Sequence, residues 1–261
     1  MFQSKIYEFI QNKNEINHLL VSNHKEAQDV RDIFDFCDIT SFVLPHINIP
    51  YGDDLKPFRE EIFEVNNTLR NYYAHNGRKV LILTLATSLL HFPAQSLLRY
   101  FTINFADNLN LSDFKDMIYR WGYTYSDMVE LEGEVSIRGD IIDIFIPCMP
   151  HPHRICLFDN EIESIREYEL STNKSKKEEI ESITIPPALF SFDEQEHKEI
   201  SQEIEEFEGN ILEKDMESIG YWLIKSSTFF IDEKTFLLHT NTKNELEDLF
   251  LDKREKSISD F

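Results

Sequence analysis

The chain has 261 residues, 41% of them hydrophobic, and carries 48 acidic against 26 basic side chains for a formal charge of −22. That length fits two modest domains with packed cores, and that charge excludes a duplex phosphate backbone as the primary partner. Only seven glycines occur, and neither G-x-x-x-x-G-K-[ST] nor G-x-G-x-x-G is present, which excludes the ordinary phosphate-cradling loops.

Three cysteines, Cys37, Cys148 and Cys156, are too few and too odd in number for a disulfide framework and suit a reducing cytoplasm. The first residues, MFQSKIYEFIQNKNE, lack the apolar core and cleavage site of a signal peptide. No apolar run approaches the roughly 18 residues of a membrane span. A cytoplasmic protein with no membrane partner is expected.

In chain order, HLLVS (18–22) reads as a short buried strand, followed by a helix with Ala27, Val30, Ile33, Phe34 and Cys37 on one stripe. SFVLP (41–45) reads as a second strand stopped by Pro45. Residues 57–75 read as a long helix with Phe58, Ile62, Val65, Leu69 and Tyr72 aligned, and KVLILTL (79–85) as a continuous apolar strand. Strands of this kind separated by helices predict a parallel sheet covered on both faces.

The pattern changes near residue 99. YFTINF (100–105) is strand-like, and residues 111–123 predict a short helix ended by Gly122. EVSIR, IIDIFI, RICLF, EIESIREYEL and SITI then follow at hairpin spacing, which predicts an antiparallel sheet. Within GEVSIRGDIIDIFIP (133–147), Gly139-Asp140 is a two-residue turn. Ile142, Ile144 and Ile146 share the core face of the second strand, whereas Asp143 and Phe145 share the other; Arg138 also lies off the core face of the first strand. Pro186-Pro187 marks the exit from this domain. Residues 193–217, with eleven acidic residues and two lysines, predict an acidic amphipathic helix through Ile200, Ile204, Phe207 and Ile211. STFFI (227–231) and FLLHT (236–240) are further strands, and 242–254 a closing helix. The expected organisation is residues 1–98 as the first part of an α/β domain, 99–185 as an inserted α+β domain, and 186–261 as the return.

Three stretches together carry a family resemblance: LPHINIPYGDDLKPFREEIFEVNNTL (44–69), the run from WGY (121–123) through GEVSIRGDIIDIFIP to HRICLFDNEIESIREYEL (153–170), and SIGYWL (218–223). Their order and spacing resemble the UvrB-homology region at the N-terminus of the bacterial transcription-repair coupling factors (Mfd), over roughly residues 20–230. The resemblance implies a P-loop-NTPase-like parallel-sheet domain that lacks a Walker A loop, holding an inserted antiparallel domain that presents a surface to UvrA. It implies no cofactor, no catalytic and no metal site in this segment, little direct DNA binding, and contact with the remaining domains of a full-length protein, of which this sequence is expected to cover the N-terminal module. The alternative within the same relationship is UvrB itself, an ATP-dependent repair subunit; at the matching place HLLVSNHKEAQDV (18–30) has no glycine to shape a phosphate loop.

The relatives place an arginine after the G-Y pair, another before the glycine of the R-G motif, and a phenylalanine in D-x-F. The last two match Arg138 and Phe145; at the first, this sequence has Tyr125. Arg138, Phe145, Tyr125 and Asp143 are therefore the expected UvrA contacts, with Phe145 as an apolar anchor; pattern alone divides Phe145 between edge packing and exposure, and the face it shares with Asp143 tips it toward exposure. The bland alternative for Arg138 is a surface ion pair with Asp140 or Asp143, worth under ~1 kcal/mol. Cys148, His151, His153 and Cys156 are metal-competent types, but their C-x2-H-x-H-x2-C spacing departs from that of structural zinc sites.

Overall fold

The computed structural model describes residues 2–11, 17–47, 56–88, 90, 92–206, 227–228 and 235–237. In chain order its main elements are α1 (Phe2–Gln11), β1 (His18–Val21), α2 (His24–Phe36), β2 (Thr40–Val43), α3 (Arg59–Ala74) and β3 (Lys79–Thr84). There follow β4 (Phe101–Asn104), α4 (Leu111–Arg120), β5 (Thr124–Tyr125), β6 (Glu134–Arg138), β7 (Ile141–Ile144) and β8 (His153–Phe158). The series closes with β9 (Glu161–Glu169), β10 (Lys174–Ser175), β11 (Ser182–Ile185), α5 (Glu194–Glu206) and β12 (Thr235–Leu237). The predicted strands and helices up to residue 206 are present, and α1 is an addition that the sequence reading did not foresee. The predicted helix at 242–254, the stretch 207–217 of the acidic helix and SIGYWL lie outside the described residues.

Two compact units result, one from Met1–Asn48, Thr68–Phe92 and Ser227–Phe261, the other from Ile49–Asn67 and Pro93–Ser226. The expected boundaries differ from this partition. Residues 186–206 belong to the second unit, because Ile200 of α5 is buried in a cluster with Leu97, Phe190 and Phe192. Arg99 fastens the same segment through an ion pair to Glu196 (2.9 Å) and a backbone-to-side-chain bond from its N–H to Ser191 Oγ (2.9 Å).

The first unit is a parallel sheet in the order β12-β1-β3-β2. Leu19, Val21, Val80 and Ile82 are buried against Ala27, Val30 and Phe34 of α2 and Ile6 and Phe9 of α1. These are the continuous apolar strands that two-sided cover demands. The turn from β1 into α2 is closed by its own side chains. Asn23 Oδ1 accepts from the Glu26 N–H at 3.0 Å, and the Glu26 carboxylate accepts from the Ser22 N–H at 2.7 Å, a reciprocal cap on the helix N-terminus.

The second unit is built on a six-stranded sheet in the order β10-β9-β8-β7-β6-β5. All pairs are antiparallel except the edge pair β5–β6. Two tight turns set its central register. Gly139 has φ of 59° while Asp140 stays at negative φ, the pattern of a type II′ hairpin; Asp159 and Asn160 are both left-handed, the pattern of type I′. The core face is apolar from strand to strand: Val135, Ile142, Ile144, Ile155, Ile162 and Ile165 are at most 1% exposed and pack against Phe114 and Ile118 of α4. β4 and β11 form a separate antiparallel ribbon whose Ile103 and Ile185 join this core.

Gly133 shows why the β6 entrance reads as it does. Its φ is +78°, and a Cβ there would lie 2.7 Å from Arg59 Nη2 and 2.8 Å from Phe63 Cζ. The Arg59 guanidinium, 5.5 Å over the Phe63 ring, donates to Thr124 Oγ1 (3.0 Å) and to the Gly133 carbonyl (3.4 Å). A side chain at 133 would break both the backbone conformation and this contact.

Candidate partner-binding surface

The six-stranded sheet turns a second face away from the isoleucine core, and its register places a polar row across four strands. Ser136 pairs with Asp143, Asp143 with Arg154, and Arg154 with Arg166. Asp143 is 2% exposed, so its charge needs partners. It has two. Arg154 grips it with Nε to Oδ1 at 2.7 Å and Nη2 to Oδ2 at 2.9 Å, a bidentate fork, and Arg138 Nη2 donates to Oδ2 at 2.6 Å. The hydrogen bond to Asp143 raises the Arg154 pKa above its ordinary value. The Arg154 guanidinium also stacks 4.8 Å over the Tyr168 ring and donates to Asn173 Oδ1 at 2.8 Å. Tyr168 is itself buried, and desolvation, helped by the nearby Asp143, pushes its hydroxyl up to about 12.

One carboxylate between two guanidiniums leaves this buried knot with a charge of +1 on a chain of −22. Arg154 is largely sequestered, with 18% of its side chain exposed, whereas Arg138 keeps 48% exposed. The excess charge is therefore presented by Arg138. Its bond to Asp143 fixes the guanidinium and leaves further donors facing outward.

The outer face has a covered end and an open end. At the covered end the segment after β5 crosses over the sheet: Ser136 Oγ donates to the Asp127 carbonyl at 3.0 Å, and Val129 is buried. Between this segment and β9 runs a groove of about 260 Å³ lined by Met128, Val129, Glu130, Tyr168, Leu170, Ser171 and Asn173. At the open end, beside the β6–β7 turn, Ile141 is 39% and Phe158 70% exposed.

The four expected contact residues are thus brought to one sheet but not to one environment. Arg138 is accessible and paired with Asp143, as the bland alternative anticipated, although the aspartate is buried and shared with Arg154. Asp143 is inaccessible and can act only by holding Arg138. Tyr125, on edge strand β5, is 43% exposed and donates its hydroxyl to the Lys115 carbonyl at 2.9 Å; burial, then Asp116, raises its pKa.

Phe145 corrects the sequence reading. Of the two environments open to it, exposure was favoured over edge packing, yet it is 8% exposed. The ladder continues through it, with its N–H donating to the Glu134 carbonyl (2.9 Å) and its carbonyl accepting from the Gly133 N–H (2.7 Å). That places Phe145 at the covered end, where an outer-face position is not a solvent-facing one. Sequence reading missed Arg154 and Tyr168. Arg154 lies within the quoted HRICLF motif, but only the β7–β8 register sets it opposite Asp143.

Among the described residues no three His, Cys, Asp or Glu side chains converge on a point that could hold a metal ion. Cys148 and Cys156 belong to different segments, and His153 is buried in β8, where desolvation lowers its pKa. No helix among the described residues is long and apolar enough to cross a membrane.

Comparison with known proteins adds the lineage. Residues 101–189, which hold the whole six-stranded sheet and the β4–β11 ribbon, match the UvrB interaction domain family. The chain is 34% identical over 229 residues to the transcription-repair-coupling factor of Helicobacter pylori strain J99, which covers 86% of this chain and 23% of that protein. It is equally similar to the protein of strain 26695, and 39% identical over 87 residues to that of Staphylococcus aureus RF122, covering 33% of this chain and 7% of that one. The chain therefore spans about a quarter of the length of the Helicobacter relatives it matches. Motifs, domain match and extended similarity agree: along most of its length this chain is similar to transcription-repair-coupling factors, and its residues 101–189 match the UvrB interaction domain.

Proposed function

We propose that this module is a non-catalytic protein-interaction unit that recruits UvrA and so links stalled transcription to nucleotide excision repair in the bacterial cytoplasm. The observation that carries the reading is the half-exposed Arg138, oriented from below by buried Asp143 and backed by Arg154. A pre-ordered guanidinium on a sheet face loses little side-chain entropy when a partner carboxylate arrives, and arginine is enriched among interface hot spots. Tyr125 adds a second exposed contact on the edge strand, and Phe145 acts indirectly by supporting the covered end.

The same module is proposed to act without ATP and with little direct DNA binding. A P-loop-like sheet would receive phosphate where β1 enters α2, and there the Glu26 carboxylate already accepts the Ser22 N–H. Two negative charges do not share such a seat without cost. The −22 charge likewise opposes a nucleic-acid backbone. Contacts with further domains of a longer protein belong to the same proposal.

Titration of purified UvrA with the chain tests the reading. Submicromolar or micromolar binding by the wild type, weakened about tenfold or more by Arg138→Ala, is the expected result. Undiminished affinity in Arg138→Ala would remove this site. Measurable ATP binding by the chain would favour a UvrB-like ATP-dependent subunit instead.

A further inference from the structure

If Phe145 is buried, the outer face needs another apolar contact beside Arg138, and the open end supplies one. The register sets Arg138 opposite Ile141, Ile141 opposite Cys156, and Cys156 opposite Ser164. Phe158 follows Cys156 by two residues, so both point to the same side of β8. Ile141, Cys156 and Phe158 therefore form a small apolar patch with Arg138 at its border. Phe158 leaves 70% of its surface in water, and Ile141 39%. The neighbouring positions on β8 and β9, Leu157 and Ile162, are buried in the core, so the exposure of Phe158 follows from its face and not from fraying of the hairpin.

We propose that Ile141 and Phe158 form the apolar anchor of the partner surface, seating a segment of UvrA that carries a large apolar side chain next to a carboxylate. The inference rests on the UvrA reading above. Charge selects the occupant: the Arg138–Asp143–Arg154 knot carries +1 and directs it through Arg138 to the border of the patch. An acidic flank on the partner would satisfy donors that Asp143 leaves open. A second copy of the chain is a poor fit, because it would bring together two bodies of charge −22. Phe158 faces Glu161 across the β8–β9 hairpin, and Ile141 with Arg138 at its border gives the patch the aromatic, aliphatic and guanidinium composition of an interface centre, with Cys156 and Ser164 allowing close approach.

The test is calorimetric titration of purified UvrA with the wild-type chain, Phe158→Ser, Phe158→Leu and Ile141→Ser, with sedimentation of each chain alone. Because Phe158 is exposed, Phe158→Ser should keep the wild-type melting temperature. It should bind at least about tenfold more weakly, Ile141→Ser about threefold or more weakly, and Phe158→Leu within about threefold of wild type. Wild-type binding unchanged in Phe158→Ser would overturn the anchor and leave the UvrA reading intact. No binding by the wild type would overturn that reading and the anchor with it. Wild-type dimers abolished by Phe158→Ser, with UvrA affinity unchanged, would assign the patch to self-association and equally overturn the proposal.

Discussion

The two ends of the outer sheet face share strands, alternation and residue types, yet they behave as different materials. At the covered end Phe145, Ser136 and Tyr168 are 8%, 2% and 2% exposed; at the open end Ile141 and Phe158 are 39% and 70% exposed. Asp143 lies between them, with a sequestered arginine on one side and a half-exposed one on the other. Alternation assigns a side chain to a face, but what lies over that face decides whether the side chain builds the fold or meets a partner.

Substitutions can break this comparison. The largest effect is expected for Phe145→Ala, which empties a buried site and should cost about 3–5 kcal/mol in chemical denaturation. An effect near zero would show the covered end to be open. Next comes Asp143→Ala, which leaves Arg154 largely buried without its carboxylate; about 3 kcal/mol is expected. Asp143→Asn should retain part of that stability, because the amide oxygen still accepts one arginine.

A pH effect of smaller size is expected at His153. Burial lowers its pKa, with Glu167 opposing and His151 and Lys176 assisting, and its Nδ1 has no hydrogen-bond partner among the described residues. The folded state therefore favours the neutral ring. Stability is complete above the ordinary histidine range near 6.5 and falls as pH drops through that range towards the lower folded value. Urea midpoints at pH 7.5 and 5.5 should differ, and His153→Gln should reduce the difference without abolishing it, since burial also lowers the pKa of His197. The smallest effect on stability is expected for Arg138→Ala, under ~1 kcal/mol, because Arg154 still holds Asp143. A large loss there, or wild-type UvrA affinity in that variant, would erase the distinction between the two ends.

Much of the fold was legible because it rests on local signals. Apolar runs at 18–22 and 79–85 have the length and continuity of strands covered on both sides, and Gly139-Asp140 carries its own turn geometry. Ile142, Ile144 and Ile146 announced the core face by period alone. The environment of Phe145 was not legible, since strand alternation assigns it a face and does not say what lies over that face. Nor was the role of Arg154, because eight residues separate β7 from β8 and no turn signal fixes their register. Helix α1 was legible by the same kind of signal, since Phe2, Ile6, Phe9 and Ile10 recur at helical spacing, but the sequence reading passed over it. Positions at the two candidate anchors differ by cover, and cover is a tertiary property.

The cap at the start of α2 has a consequence for how the first unit responds to its surroundings. Glu26 is a ligand tethered three residues from Asn23, and a group held on so short a leash is present at an effective concentration of millimolar or more. A free anion seeking the Ser22 N–H would have to displace this carboxylate. On the ATP-free reading proposed above, the melting temperature of the chain should not change when phosphate or ATP is added.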